Sequence, residues 1–175
     1  MLSIGQAVPA IEVEALTPQG EYRAINFSDH RYRWKVLFFW QWNFTITCLA
    51  RIRAYHALSR QFAETGAIVL GASVDSVYAH RAWTTNGLGK VSFPLIGDAT
   101  RQLASRCGVL SQEEGMAEYA TFIIEPGGQV AGVVKHSINA PAERSAQDAL
   151  RMLWRLQADR AGVDQCPTLS YDQVA

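Results

Sequence analysis

Cysteine is scarce in this chain: three in 175 residues, at Cys48, Cys107 and Cys166, with no Cys-x-x-Cys pair. So few thiols, so widely spaced, exclude a secreted disulfide framework. In a reducing compartment they are either buried core residues or participants in transient redox chemistry. The four histidines, His30, His56, His80 and His136, show no metal-ligand spacing, so no structural zinc site is expected. Charge of either sign is never concentrated. Sixteen basic and sixteen acidic side chains cancel, which argues against nucleic acid or an anionic membrane surface as partner. No apolar run approaches the roughly 20 residues that span a bilayer. The opening Met1-Leu2-Ser3-Ile4-Gly5-Gln6 lacks the basic and apolar regions of a signal peptide. A soluble, cytoplasmic protein is expected. Internal repeats, low-complexity tracts and long linkers are missing too, and 49% hydrophobic residues suffice for one sizeable core.

What is present is a regular succession of elements. Ile11 to Leu16 alternates apolar and acidic residues and predicts an edge strand. Val36 to Trp40 is continuously apolar and bulky, as in a strand covered on both faces. From Leu49 a helical face runs through Ile52, Tyr55, Leu58 and Phe62 to a stop at Gly66. Ile68 to Val74 predicts a second buried strand, parallel to the first. Asp75 or Ser76 can cap the next helix, which ends by Asn86-Gly87. Asp98 reads as the N-cap of a short helix towards Cys107-Gly108. Tyr119 to Glu125 and Gln129 to His136 flank Pro126-Gly127-Gly128, a hairpin signal. Glu143 to Arg160 is an amphipathic helix. Strand, helix, strand, helix, hairpin, helix is an α/β order that suits a thioredoxin-like mixed sheet flanked by helices. Additions fall at the N-terminus and after the second strand. Residues 1–160 form the expected domain and 161–175 a C-terminal tail.

Cys48 is the chemically informative residue. It follows an apolar strand and sits at or near a helix N-terminus, where backbone N–H groups and the helix dipole favour thiolate over thiol. Redox or acyl chemistry is the expectation. Thr45, three residues upstream, can hydrogen-bond the sulfur or an incoming oxygen, and Arg51, one turn on, can add positive charge. Cys107, before Gly108 at a helix end, is expected to serve packing.

The chain resembles the typical two-cysteine peroxiredoxins, close to the alkyl hydroperoxide reductase C component (the AhpC/TSA family). The resemblance rests on Ile4-Gly5-Gln6-Ala7-Val8-Pro9, Leu37-Phe38-Phe39-Trp40 and the run from Ser73 to Trp83. It continues through Phe93-Pro94-Leu95-Ile96-Gly97-Asp98, Gly108-Val109-Leu110, Thr121 to Pro126, Arg144 to Arg151 and Cys166-Pro167. It implies Cys48 as the peroxidatic cysteine and Cys166, on the tail, as the resolving one. It further implies hydroperoxide substrates, an intersubunit disulfide, a dithiol reductant, a homodimer or decamer, and no metal, haem or flavin cofactor.

Departures are equally specific. In the motif Pro-x-x-x-Thr-x-x-Cys, followed by Pro-Thr-Glu, Gln41 replaces the proline and Leu49-Ala50-Arg51 replaces Pro-Thr-Glu. Tyr119 stands where the resemblance expects an active-site arginine. Arg51 can aim its guanidinium into that space, and Tyr119 can donate a hydroxyl hydrogen bond. The alternative is a degenerate member with weak or no peroxidase activity, acting as a redox sensor, holdase or scaffold. A thiol-disulfide oxidoreductase is disfavoured because no Cys-x-x-Cys opens the helix.

Overall fold

The computed structural model describes residues 1–26 and 33–162. Cys166, most of the expected tail and His30 lie outside them. The described strands form one sheet in the order β2-β1-β5-β4-β3-β6-β7. The central strands β3 (Lys35–Phe39), β4 (Ile68–Ser73) and β5 (Leu95–Gly97) run parallel. On one side, β6 (Ala120–Ile124) and β7 (Val130–Lys135) add an antiparallel hairpin. On the other, β1 (Glu12–Leu16) pairs antiparallel with β5, and β2 (Tyr22–Asn26) closes the edge. This is the thioredoxin-like mixed sheet anticipated from the element order. One expectation is corrected: β1 is not the edge strand. Val13, Ala15 and Leu16 bury between β2 and β5, while Tyr22, Arg23 and Ala24 carry the exposure. The edge sequence Tyr-Arg-Ala-Ile-Asn is half polar, as exposed edges require. It therefore gave little strand signal.

Alternation in β3 divides the core. Val36 and Phe38 face a cluster built by α1 (Ile46–Ala57), α2 (Ser59–Glu64) and α5 (Ala142–Ala161). Leu37 and Phe39 face a second cluster with α4 (Gln102–Cys107) and β1. Phe38 stacks on Tyr55 of α1 at 3.9 Å between ring centroids. Gly71 in β4 makes room for these rings, since a Cβ there would meet Phe38 and Trp40 ring atoms at 2.8 and 2.9 Å. The continuous helix expected from Leu49 to Gly66 is broken at Leu58, which ends α1 and precedes α2. Its apolar stripe is unbroken, which is why periodicity hid the interruption.

The helix α3 (Val77–Trp83) is capped by Ser76, whose hydroxyl accepts from Ala79 N at 3.2 Å, and is followed by a turn over Thr84–Leu88 in which Asn86 and Gly87 leave helical geometry. Asp98 serves α4 from outside it. Its carboxylate accepts from Leu103 N (3.0 Å) and Ala104 N (2.7 Å), while Arg101 holds the N-cap position in the left-handed region. No described helix is long and apolar enough to cross a membrane.

Candidate active site

The strand β3 delivers the chain at Trp40 to a loop that a buried polar network holds in place. The Asn43 backbone N–H donates to Asp75 Oδ2 at 2.9 Å, and Trp40 Nε1 donates to the side-chain Oδ1 of Asn43 at 3.1 Å. The Asn43 amide nitrogen lies 2.9 Å from His80 Nδ1. The other ring nitrogen, Nε2, meets the Ile96 carbonyl at 2.9 Å. A carbonyl only accepts, so Nε2 carries the proton and Nδ1 accepts from Asn43. Burial holds the His80 pKa below its ordinary value, which keeps this neutral tautomer. Phe44 then takes φ 61°, a left-handed conformation rare for an aromatic residue. That kink turns the chain into α1.

Thr45 is the N-cap of α1: its Oγ1 accepts from Cys48 N at 3.3 Å and donates to the Trp42 carbonyl at 3.2 Å. Its hydroxyl proton is thus directed away from the sulfur. Cys48 falls inside the first turn, because α1 begins at Ile46, three residues before the start expected at Leu49, and it has no exposed surface. Its Sγ lies 3.2 Å from the Tyr119 hydroxyl, which is contributed by the segment entering β6. The same hydroxyl reaches Thr47 Oγ1 at 3.5 Å.

Arg51 shares the inner face of α1 with Cys48, three residues apart, and only 3% of it is exposed. Its guanidinium donates to Ser145 Oγ on α5 and to the carbonyls of Ser137 (2.8 Å) and Ala140 (3.1 Å) between β7 and α5. Its Cζ lies 4.1 Å from the centroid of the Tyr119 ring, a cation–π distance. Arg51 therefore reaches the sulfur's surroundings through Tyr119, with no hydrogen bond to Sγ. Burial, and then the Cys48 contact, push the Tyr119 pKa up, while Thr47 and the Arg51 charge oppose the rise. The hydroxyl stays protonated and available to donate.

Tyr119 also lines an open groove of about 450 Å³, shared with Gln41, Met116, His136, Ser137 and Ile138. Cys48 does not line this groove; its sulfur contacts the hydroxyl of Tyr119, which does. Cys107 is placed elsewhere, at the end of α4, fully buried, with its thiol pKa pushed up to about 12 chiefly by burial. Among the described residues no group of three or more His, Cys, Asp or Glu could hold a metal ion.

The structure thus brings Thr45, Cys48 and Arg51 together at the N-cap and first two turns of α1, while Cys166 lies outside the described residues. The sequence reading gave no chemical role to Asn43 or His80 and took Asp75 only as a possible helix cap. An asparagine beside Trp40 and a buried histidine are weak signals individually; only their contact across 37 positions makes a network.

The AhpC/TSA family model matches residues 4–133. The chain belongs to the AhpC/TSA family. It is 34% identical to peroxiredoxin-2 of Mus musculus over 169 residues, covering 94% of this chain and 84% of that protein. Peroxiredoxin-1 of Gekko japonicus is 32% identical with the same coverage. Among solved structures, AhpC of Mycobacterium tuberculosis superposes with a TM-score of 0.82 at 31% identity, over 95% of this chain and 97% of that one. The thioredoxin-like fold is shared throughout. The chain is an AhpC-like peroxiredoxin, and peroxiredoxins are thiol peroxidases.

Proposed function

We propose that this AhpC/TSA protein reduces hydrogen peroxide and organic hydroperoxides through a Cys48 sulfenic acid, which Cys166 of the same or a partner chain condenses into a disulfide. The observation that carries the reading is the placement of Cys48: first turn of α1, backbone capped by Thr45, sulfur against the Tyr119 hydroxyl. The helix N-terminus favours an anionic sulfur and the hydroxyl supplies a donor to it. Attack on the terminal peroxide oxygen then leaves the sulfur as sulfenic acid. A thiol on the tail attacks that sulfur and releases water, and an external dithiol restores both cysteines by exchange. No metal or organic cofactor enters these steps.

Association into a homodimer or larger ring belongs to the same reading, as does a reducing, cytoplasmic setting. Support for association comes from Trp42, Phe44 and Ile46, which lead into the active-site turn and are 44%, 59% and 86% exposed. Large apolar side chains grouped in one loop of a monomer favour burial against another copy.

The degenerate reading retains two observations in its favour: Cys48 has no exposed surface, and the Arg51 guanidinium is committed to loop carbonyls. The two readings separate in a turnover assay with a dithiol reductant, followed by non-reducing electrophoresis. A peroxidase consumes peroxide catalytically with the dithiol and, when peroxide is added without it, accumulates a Cys48–Cys166 disulfide that Cys166→Ser eliminates. A scaffold or holdase shows neither.

A further inference from the structure

Reduction of a hydroperoxide has a second demand besides a nucleophilic sulfur: the departing oxygen leaves as an alkoxide or hydroxide and needs a proton. At Cys48 the candidates are few. The Thr45 hydroxyl proton is spent on the Trp42 carbonyl. Arg51 donates to Ser145, Ser137 and Ala140. Among the described residues, Tyr119 is the one side chain in hydrogen-bond contact with Sγ.

We propose that Tyr119 is the proton donor to the leaving oxygen, and that Arg51, held against the ring face, supports the phenolate formed as the proton departs. This rests on the peroxidase reading above. Cys48 S⁻ attacks the terminal oxygen of ROOH; the S–O bond forms, the O–O bond breaks, and its electron pair leaves with RO⁻. The alkoxide takes the phenolic proton and departs as ROH. The sulfur has become SOH, oxidised by two electrons, and the peroxide is reduced by the same two. Water entering from the groove lined by Tyr119 and Ser137 returns a proton to the phenolate.

Geometry supports both halves. The hydroxyl contacts the attacking sulfur at 3.2 Å, so it borders the space where a peroxide must sit, and the departing oxygen, one O–O bond beyond the oxygen that joins the sulfur, can be set within its reach. The guanidinium carbon is 4.1 Å from the ring centroid, where its positive charge favours a negative ring over a neutral one. The clamp on the Ser137 and Ala140 carbonyls fixes that charge in place. Tyr119 is thus a catalytic residue, and Arg51 a positioning residue that acts through it.

The test is stopped-flow oxidation of Cys48 in wild type and Tyr119→Phe, using an alkyl hydroperoxide and a peroxycarboxylic acid. A carboxylate leaves without needing a proton, an alkoxide does not. Tyr119→Phe is expected to lose on the order of 100-fold or more with the alkyl hydroperoxide. It should lose far less with the peroxyacid. Equal losses, or none, overturn the proton-donor role. A wild-type rate no faster than a free thiolate defeats the peroxidase reading and this proposal with it. Wild-type speed retained in Tyr119→Phe defeats this proposal alone. For Arg51, the Gln variant should shift the alkaline limb of the rate profile to higher pH, and Lys should restore it in part. Identical profiles for both variants remove Arg51 from the account.

Discussion

Cys48 and Cys107 are equally buried, yet their surroundings set them opposite tasks. Cys48 lies in the first turn of a 12-residue helix, with a threonine cap before it and a tyrosine hydroxyl on its sulfur. Cys107 lies at the last turn of a six-residue helix, before Gly108 in the left-handed C-cap. There burial first, and then the nearby Asp98 charge, oppose a thiolate, and the negative end of the helix dipole acts in the same direction. Burial, shared by both, therefore does not by itself distinguish the two thiols. Which end of a helix the sulfur occupies, and which donor faces it, decide the matter. Gly108 adds a packing reason for the second site: a Cβ there would meet the backbone of Met1 at 2.2 Å, because the N-terminal segment crosses over this turn.

Replacing each thiol breaks the comparison most sharply. Cys48→Ser should lower peroxide turnover by a factor on the order of 1,000 or more, since the nucleophile itself is gone. Cys107→Ala should leave turnover unchanged and cost roughly 1 kcal/mol in denaturant unfolding, from a small cavity in the second core cluster. Loss of activity in the second variant would show that Cys107 has been misread.

Extremes of pH should act on the two sides differently. The His80 pKa is lowered in the folded state, so the unfolded chain binds more protons below its ordinary value near 6.5. Stability is then complete above that pH and is lost as pH falls, with the network that holds the Cys48 loop giving way first. The Cys107 pKa is raised from 9.0 to about 12, so the unfolded chain sheds this proton earlier. Stability is lost as pH rises above 9, and the buried Tyr55 hydroxyl, also raised, contributes with the same sign. Denaturant midpoints measured from pH 5 to 11 should trace a dome. Cys107→Ala should flatten its alkaline side and leave the acid side as it was.

A smaller effect tests the cap. Thr45→Ala should cost about 1 kcal/mol, whereas Thr45→Ser should retain most of the stability. Because Thr45 Oγ1 accepts from Cys48 N, the alanine variant should also loosen the turn that carries the sulfur. Hydrogen exchange of the Cys48 amide reports this directly.

Much of this contrast was written locally in the sequence. The apolar run Val36 to Trp40, the threonine three residues before Cys48 and the glycine after Cys107 are short-range signals, and each fixes its helix end or strand. The strand β2 was not legible, because an exposed edge needs no apolar pattern. Nor was the break at Leu58, since an unbroken apolar stripe conceals one residue that leaves helical geometry. The site's remaining parts are long-range. Tyr119 meets Cys48 across 71 positions, and Arg51 meets the β7–α5 loop across 86 or more. Resemblance drew attention to Tyr119 and Arg51 only as departures from a motif. The arrangement adds what pattern could not: the arginine backs the tyrosine instead of contacting the sulfur.

The claim at the centre is that Cys48 is an activated nucleophile towards peroxide. It is tested most directly by the second-order rate constant for its oxidation by hydrogen peroxide, measured by stopped flow in a Cys107→Ala background. A value orders of magnitude above that of a free thiolate at the same pH is the expected result. A value equal to the free thiolate would contradict the claim and leave the protein a peroxiredoxin fold without peroxidase chemistry.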